Sequence, residues 1–551
     1  MQRWLWAVLI FFFLLFSLVP TFYEISRAAD LHPQRYFELV HNYYTDYNFY
    51  LSRIRQGREG AWTVTEKYTS EPHSGSYIQI MYLYMGKVSA WIGVPWQNSG
   101  DTYHTARVVL AATLLFMIAF VAKKAFANVM WQMIGFCLVV TSSTWPILVY
   151  HMQEWRFGGY MPWWTIMDSL QRTTFVPHML AGQALIIFLL IAFSDEHTMA
   201  RPGNWVFLGL LAFLLGIVFP PGLLFVFAAY GVFVVVDLLF VMPWKQKILF
   251  RQWAIVRIAG PAISAVISAP SLLYLSLALR VYPWKRLVDF AVLHPQPFVL
   301  KDYVLAVGPM LIIGGIGGIW AIWKRETKLY IFVAWVLAWA ALIIAFQYIP
   351  QESPLRFTEM LPHVPLGILA AFLLGNLGKL GGLGKKIGVL AAILLIFLGL
   401  LQMYSSWRWQ KEFIDQKVGA TQPLVPTGSY VMYPLKDMYN AMIFIQDHTK
   451  RSDVILSETT AGNYIPVYSG NTVYVGHAAT IATEQKEQIV TAFFSGVTTA
   501  AAAKDFLASN NLHYIFFGPQ EVADGGIDDL TVVYPFLHEI YKNTYVRVYT
   551  W

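Results

Sequence analysis

Apolar runs long enough to cross a bilayer follow one another from about residue 4 to residue 403. A helix that spans the hydrocarbon core needs roughly 17–25 such residues. Eleven segments qualify: about 4–22, 104–122, 128–150, 179–195, 204–219, 222–242, 254–278, 302–322, 328–347, 363–377 and 387–403. Lipid offers no hydrogen bonds to a bare backbone, so runs of this length are expected as helices. The fold class expected is therefore an α-helical polytopic membrane protein of about eleven spans. Composition agrees: 57% of the 551 residues are hydrophobic and 13% charged, where a soluble domain has about a quarter charged. The formal charge of +7 is absorbed by topology signals, so a nucleic-acid partner is not expected. Cys137 is the single cysteine, which excludes an intrachain disulfide. The N-terminus, MQRWLWAVLIFFFLLFSLVP, lacks a small-residue cleavage site close behind its apolar core and reads as an uncleaved signal anchor.

Basic residues beside short loops set the expected orientation. With Arg3 in the cytoplasm, the inner loops carry Lys123 and Lys124; Arg201; Lys245, Lys247 and Arg251; Lys324, Arg325 and Lys328; and Lys379, Lys385 and Lys386. The FPPG turn, Phe219–Gly222, falls outside and carries none. This places the C-terminal region outside, across the plasma membrane in a prokaryote. Residues 76–95 are apolar but interrupted by Lys87. If they spanned, Lys123 and Lys124 would move outside, so an interfacial or re-entrant helix is expected there. The first outer loop then runs from about 23 to 103 and the second from about 151 to 178. A third, about 279–301, carries Arg280, Lys285, Arg286 and Lys301.

From about residue 404 the pattern changes. Short strand signals (DVILSE, NTVYVG, HYIFFG, TYVRVYT) alternate with helical ones (DMYNAMIFIQDHT, EQKEQIVTAFFSG, AAAKDFLASNN). The expected domains are thus a membrane domain over 1–403 and an exoplasmic α/β domain with a partly parallel sheet over 404–551. The stretch Glu458–Thr480 holds polar loops after candidate strands, where α/β folds bind ligands. The glycine-rich GKLGGLGKK, Gly378–Lys386, lacks the strand before it and the Ser/Thr after Lys of a phosphate loop and reads as a turn.

Candidate chemistry starts in HNYYTDYNFYLSRIRQGREGAW, His41–Trp62. On a helix, Asp46, Tyr50 and Arg53 share a face. The Asp46 carboxylate could take a proton from an acceptor hydroxyl or amine as general base. It could equally hold a metal, cap the helix or pair with Arg53 or Arg55. No Ser sits in a nucleophile elbow. His and Cys lack metal-ligand spacing, so a divalent cation is not indicated.

These residues resemble the C-type membrane glycosyltransferases, the GT-C superfamily, which includes protein O-mannosyltransferases and lipid A aminoarabinose transferases. The resemblance rests on a first span, an acid soon after it, Tyr, a helix, and a small-residue turn ending in Trp: Asp46-Tyr47-Asn48-Phe49-Tyr50, then SRIRQGREGAW. A Pro-containing stretch leads to an apolar helix in SEPHSGSYIQIMYLY, and the next span opens TARVVLAATLL. The chain departs from the pattern with Tyr47 at the often acidic second position. It also has Glu71 where lipid A transferases have a phosphate-binding Lys, leaving His73 or Lys67 as substitutes.

The resemblance implies a transferase that moves a sugar from a polyprenyl-phosphate donor to an outer-face acceptor with inversion. It implies catalytic roles for Asp46 and for a second-loop acid, Glu154 or Asp168. It implies substrate contacts from Tyr50, Arg53, Arg172, His178 and, in SPLRFTEMLPHVPLGILAA, Arg356. Arg at a lipid boundary suits a phosphate, which guanidinium binds bidentately. Arg280, Lys285 and Arg286 breach the positive-inside trend and suit an anionic ligand too. Trp62, Trp155, Trp163 and Trp164 fit an interfacial belt, with a sugar cleft as the alternative. The other class left open is a non-catalytic binder or transporter of a lipid-linked saccharide, for which Asp237 is the main charge within a span.

Overall fold

The structure is a computed structural model that describes residues 2–40, 46–95, 99–159, 167–241, 247–349, 353–420 and 433–551. The chain opens with α1 (Gln2–Ser17), α2 (Val19–Arg27), α3 (Tyr47–Arg58), α4 (Ile80–Trp91), α5 (Ser99–Ala125) and α6 (Val129–Thr141). A hairpin follows, β1 (Ile147–His151) and β2 (Glu154–Gly158), and then α7 (Pro177–Ser194). Two compact units emerge. The first joins Met1–Pro20, Ala106–Ser276 and His294–Gln410; the second joins Thr21–Thr105, Leu277–Leu293 and Lys411–Trp551. The last of these boundaries falls between Gln410 and Lys411. The stretches 21–105 and 277–293, however, go with the C-terminal region, because their polar side chains find their partners there.

Six helices are individually long and apolar enough to cross a membrane: α5, α7, Pro220–Phe240, Phe250–Ala278, Thr327–Phe346 and Gly382–Gly419. Three bent pairs pass the same test together, which gives up to nine among the described residues. The protein is a multi-pass membrane protein. One expected span sits at the lower limit of length and another falls short. The segment at 204–219 forms the 17-residue helix Pro202–Val218. The segment at 128–150 yields only the 13-residue α6. There the polar run Thr141–Thr144 and Pro146 stop the helix, and the β-branched alternation after it forms β1.

Asp237, inside Pro220–Phe240, has a structural explanation. Its Oδ2 accepts from Trp253 Nε1 at 2.6 Å and from Arg257 Nε at 3.3 Å, and Arg257 reaches Glu196 at 2.6 Å. A charge at membrane depth is tolerated when paired in this way.

In the second unit, α3 and α4 pack backbone against backbone. A Cβ on Gly57 would meet the Leu83 carbonyl oxygen at 1.8 Å, and one on Gly86 would meet that of Ile54 at 2.0 Å. Only glycine fits at either place. Residues 76–95 thus contain α4, a 12-residue helix about 18 Å long, too short to cross a bilayer. Introducing Val at Gly86 should push the helices apart and cost about 1–3 kcal/mol. A lower thermal midpoint in detergent, against wild type, checks this.

The C-terminal region builds a five-stranded sheet in the order β4-β3-β5-β7-β6, from β3 (Val454–Leu456), β4 (Thr472–Val473), β5 (Leu512–Phe517), β6 (His538–Lys542) and β7 (Arg547–Thr550). β3 is parallel to both neighbours, and β5, β7 and β6 run antiparallel in turn. The strands read from sequence are present. The stretch at 458–480 is more regular than the expected loops: Thr459–Tyr468 is a helix despite Pro466.

Glu458 follows β3 and Glu521 follows β5. Glu521 Oε1 accepts from the Glu458 amide at 2.8 Å and Oε2 from the Gly518 amide at 3.0 Å. Burial pushes both carboxyls up, Glu458 to about 8 and Glu521 to about 7. The folded state therefore keeps protons that the unfolded chain releases at its ordinary carboxylate values. The resulting stability is complete below those values and is lost as pH rises through the folded ones. Thermal unfolding should show a lower midpoint at pH 9 than at pH 6, and Glu458→Gln should flatten that slope.

Candidate functional site

α3 starts at Asp46, which stands at its N-cap without capping the helix through its side chain. An anion at this end is favoured by the helix dipole. Two donors address the carboxylate. The Tyr50 hydroxyl, one turn on, reaches Oδ2 at 3.3 Å, and His477 Nε2 lies 3.4 Å from Oδ1. The tautomer follows from the other nitrogen. His477 Nδ1 accepts the Ala479 amide at 3.1 Å, so in the neutral ring the proton is on Nε2 and points at Asp46. The imidazole stacks on Phe49 with centroids 4.4 Å apart, and Tyr68 leans on it at 5.3 Å. The Asp46 side chain stays 30% exposed and that of His477 12%, so the carboxylate is open to solvent.

The loop that carries His477 is held on several sides. Arg286 donates through Nε to the Ala478 carbonyl at 3.1 Å and pairs with Glu484 at 2.8 Å. Thr480 Oγ1 donates to the Tyr68 carbonyl at 2.6 Å. From α3, Asn48 donates to Asn463 Oδ1 at 2.8 Å, and Asn463 in turn reaches the Gly476 carbonyl at 3.3 Å. A buried aromatic row, Tyr50 stacked on Tyr82 at 4.4 Å, backs the other flank.

Beside the first turn of α3 lies a cavity of about 200 Å³, lined among others by Tyr36, Glu38, Tyr47, Asp101, His104 and Tyr468. Burial pushes the Glu38 carboxyl up to about 8, and the Tyr468 hydroxyl hydrogen-bonds it. This wall therefore presents a neutral acid and phenols to whatever enters.

Of the residues singled out in the sequence, Asp46 and Tyr50 come together. Arg53 does not join them. Its guanidinium is fully buried, pairs with Glu66 at 2.5 Å, donates to Gln79 and Ser52, and lies over the Phe49 ring at 3.8 Å. Lys67 donates to the Arg451 carbonyl at 3.0 Å, and burial lowers its pKa. Both His73 nitrogens are engaged, with the Glu66 amide at 2.9 Å and the Glu71 carbonyl at 2.7 Å. Glu71 itself pairs with Lys486 at 2.7 Å. Lys285 pairs with Asp289 at 2.5 Å, and Arg280 is exposed.

The other candidates belong to the first unit. Glu154 is held by Arg156 and Arg408, which lower its pKa. Asp168 caps its own turn, accepting the Leu170 and Gln171 amides, and takes the Ser406 hydroxyl at 2.5 Å. Arg172 is buried against the Val139 and Val140 carbonyls, and desolvation brings it down to about 9. His178 sits at the second position of α7, and Arg356 lies 3.4 Å from Glu359. Trp163 and Trp164 fall outside the described residues. Among the described residues no three His, Cys, Asp or Glu side chains gather as metal ligands would. His477 was not singled out by number, although the stretch at 458–480 contains it. Its only local signal is a Gly-His pair a few residues past β4.

No family model and no curated protein matches the sequence. Solved structures do. The archaeal oligosaccharyltransferase AglB from Archaeoglobus fulgidus, in complex with an inhibitory peptide and a dolichol-phosphate, aligns at a TM-score of 0.55 and 12% identity, over 98% of this chain and 73% of that one. The chain has the GT-C fold. The Archaeoglobus enzyme tethered to an acceptor peptide gives 0.52 and 11%, over 99% and 74%. ArnT from Cupriavidus metallidurans, bound to undecaprenyl phosphate, aligns at 0.47 and 11% over 97% of both chains.

The Arg53–Glu66 pair is what sets the azimuth of α3. Arg53→Met would leave Glu66 buried and unpaired, which costs about 3–5 kcal/mol. Expression and thermal stability should fall sharply, and Arg53→Met with Glu66→Leu should recover part of the loss.

Proposed function

We propose that the protein is a glycosyltransferase that moves a sugar from a polyprenyl-phosphate-linked donor to an acceptor at the outer face of the membrane. The observation that carries this reading is the Asp46 carboxylate, oriented by two donors and open to solvent at the start of α3. The fold supports it, since AglB is a transferase solved with dolichol-phosphate and with an acceptor peptide. The N-terminus is then cytoplasmic, and the C-terminal region, with the His477 loop, is outside.

The chemistry asked of the site is a single displacement. The acceptor oxygen or nitrogen attacks the anomeric carbon while Asp46 takes its proton. The bond from that carbon to the phosphate oxygen breaks, and the polyprenyl phosphate leaves with the bonding pair. Attack opposite the leaving group inverts the anomeric centre. His477 and Tyr50 are positioning residues in this scheme. They fix the carboxylate, and their hydrogen bonds leave its remaining lone pairs for the acceptor. Arg356 at the start of an apolar segment is the proposed contact for the lipid phosphate.

The test is direct. Purified protein in lipid nanodiscs should bind polyprenyl monophosphate saturably. Arg356→Ala should lose that binding and Asp46→Asn keep it. Incubated with a panel of polyprenyl-phosphate sugars and envelope extract, wild type should release polyprenyl phosphate and Asp46→Asn should not. His477→Gln, which keeps a donor, should retain more turnover than His477→Phe, which keeps only the stacking. Full turnover by Asp46→Asn removes the general-base role. No lipid-phosphate binding by folded wild type removes the donor class.

A further inference from the structure

The helix Gly382–Gly419 contains its own depth gauge. Among its exposed apolar residues, Leu383, Ile387, Leu390, Leu394, Phe397, Leu401 and Tyr404 are spaced by three and four and form one stripe, with Ile393 beside it. From first to last the stripe is about 32 Å long at 1.5 Å per residue, close to the ~30 Å of a bilayer core. Beyond it come Trp407, Arg408 and Trp409, the composition of a water–lipid boundary.

The neighbouring chain climbs along this gauge. The Thr141 carbonyl abuts Gly399, whose Cβ would come within 2.2 Å of it. Gln402 Nε2 donates to the Thr144 carbonyl at 2.9 Å. The β1–β2 hairpin follows. The Phe157 amide donates to Ser405 Oγ at 2.9 Å, and its carbonyl accepts from Trp409 Nε1 at 3.0 Å. These pins sit within about 8 Å of the end of the stripe, which is the headgroup layer.

The hairpin has two unlike faces. One packs on the helix: His151 lies against Trp409 at 4.7 Å, Arg156 over the same ring at 4.9 Å, and Glu154 pairs with Arg408 at 2.7 Å. The other carries Leu148, Tyr150 and Trp155, with Met152 at the turn, which are 59%, 64%, 67% and 69% exposed. Tyr150 and Trp155 are cross-strand partners, with rings 5.3 Å apart. Four large apolar side chains left open at this depth find their match in lipid, where Trp and Tyr rings settle at headgroup level. Two arginines against one glutamate beneath them suit the phosphates of that layer.

We propose that the β1–β2 hairpin is an interfacial membrane anchor that seats Leu148, Tyr150, Met152 and Trp155 in the headgroup layer of the bilayer. It is a β-structured contact with lipid beside the spanning helices, and it does not depend on the catalytic reading.

The single cysteine makes the test clean. In a Cys137→Ala background, Leu148→Cys and Met152→Cys are each labelled with an environment-sensitive fluorophore. The full chain goes into nanodiscs of phosphatidylcholine and phosphatidylglycerol, where both faces are open to solutes. Asp528→Cys, exposed in the C-terminal region, is the control. Since the labelled positions are exposed, folding does not rest on them. The expected result is blue-shifted emission at 148 and 152. Brominated lipid should quench both several-fold more than the control, and iodide several-fold less. Water-like emission with free quenching by iodide overturns the proposal. Shielding from both quenchers overturns it as well, because the occupant is then protein.

Discussion

One buried ion pair locates the candidate site. Arg53 is enclosed by Glu66, Gln79, Ser52 and the face of Phe49, and a desolvated guanidinium tolerates no looser arrangement. That geometry fixes the rotation of α3. Phe49 is then positioned under His477 and Asn48 toward Asn463, while Asp46 is left at the open end. Arg53, expected from the sequence as a substrate contact, is therefore what orients Asp46 beside it. Its own charge is already spent.

In the first unit the controlling constraint is the absence of water. Asp237 is matched in place by Trp253 and Arg257, and Gln402 by Thr144. The same demand explains why the chain leaves helical form only where partners wait. After Thr141 the helical ladder stops, and Gln402, Ser405 and Trp409 bond the backbone alongside the β1–β2 pairing.

Much of this was legible. Length and hydropathy locate the apolar helices because lipid leaves few alternatives. The alternation after residue 404 shows the sheet because buried strands need β-branched and aromatic side chains. Asp46 and Tyr50 are four residues apart, so helical spacing alone brings them together. What was not legible depends on distance along the chain. Glu66 competes with Asp46 for Arg53, and nothing local says which carboxylate wins. The hairpin was hidden in a run apolar enough to pass for a span. His477 reaches Asp46 only because its ring stacks on Phe49 of α3, a fact that belongs to the fold and not to either segment.

Tyr68 donates to the Asn463 carbonyl across 395 residues, and the His477 loop lies further on still. Synthesis at 5–20 residues per second puts roughly 20–80 s between the emergence of these partners. During that interval the stretch from 21 to 105 is complete, yet it lacks the groups that organise it, while the intervening helices are being inserted. The Asp46–His477 pair cannot form before residue 477 has been made. Until that residue arrives, a half-built chain offers Asp46 to its surroundings without the imidazole that orients it.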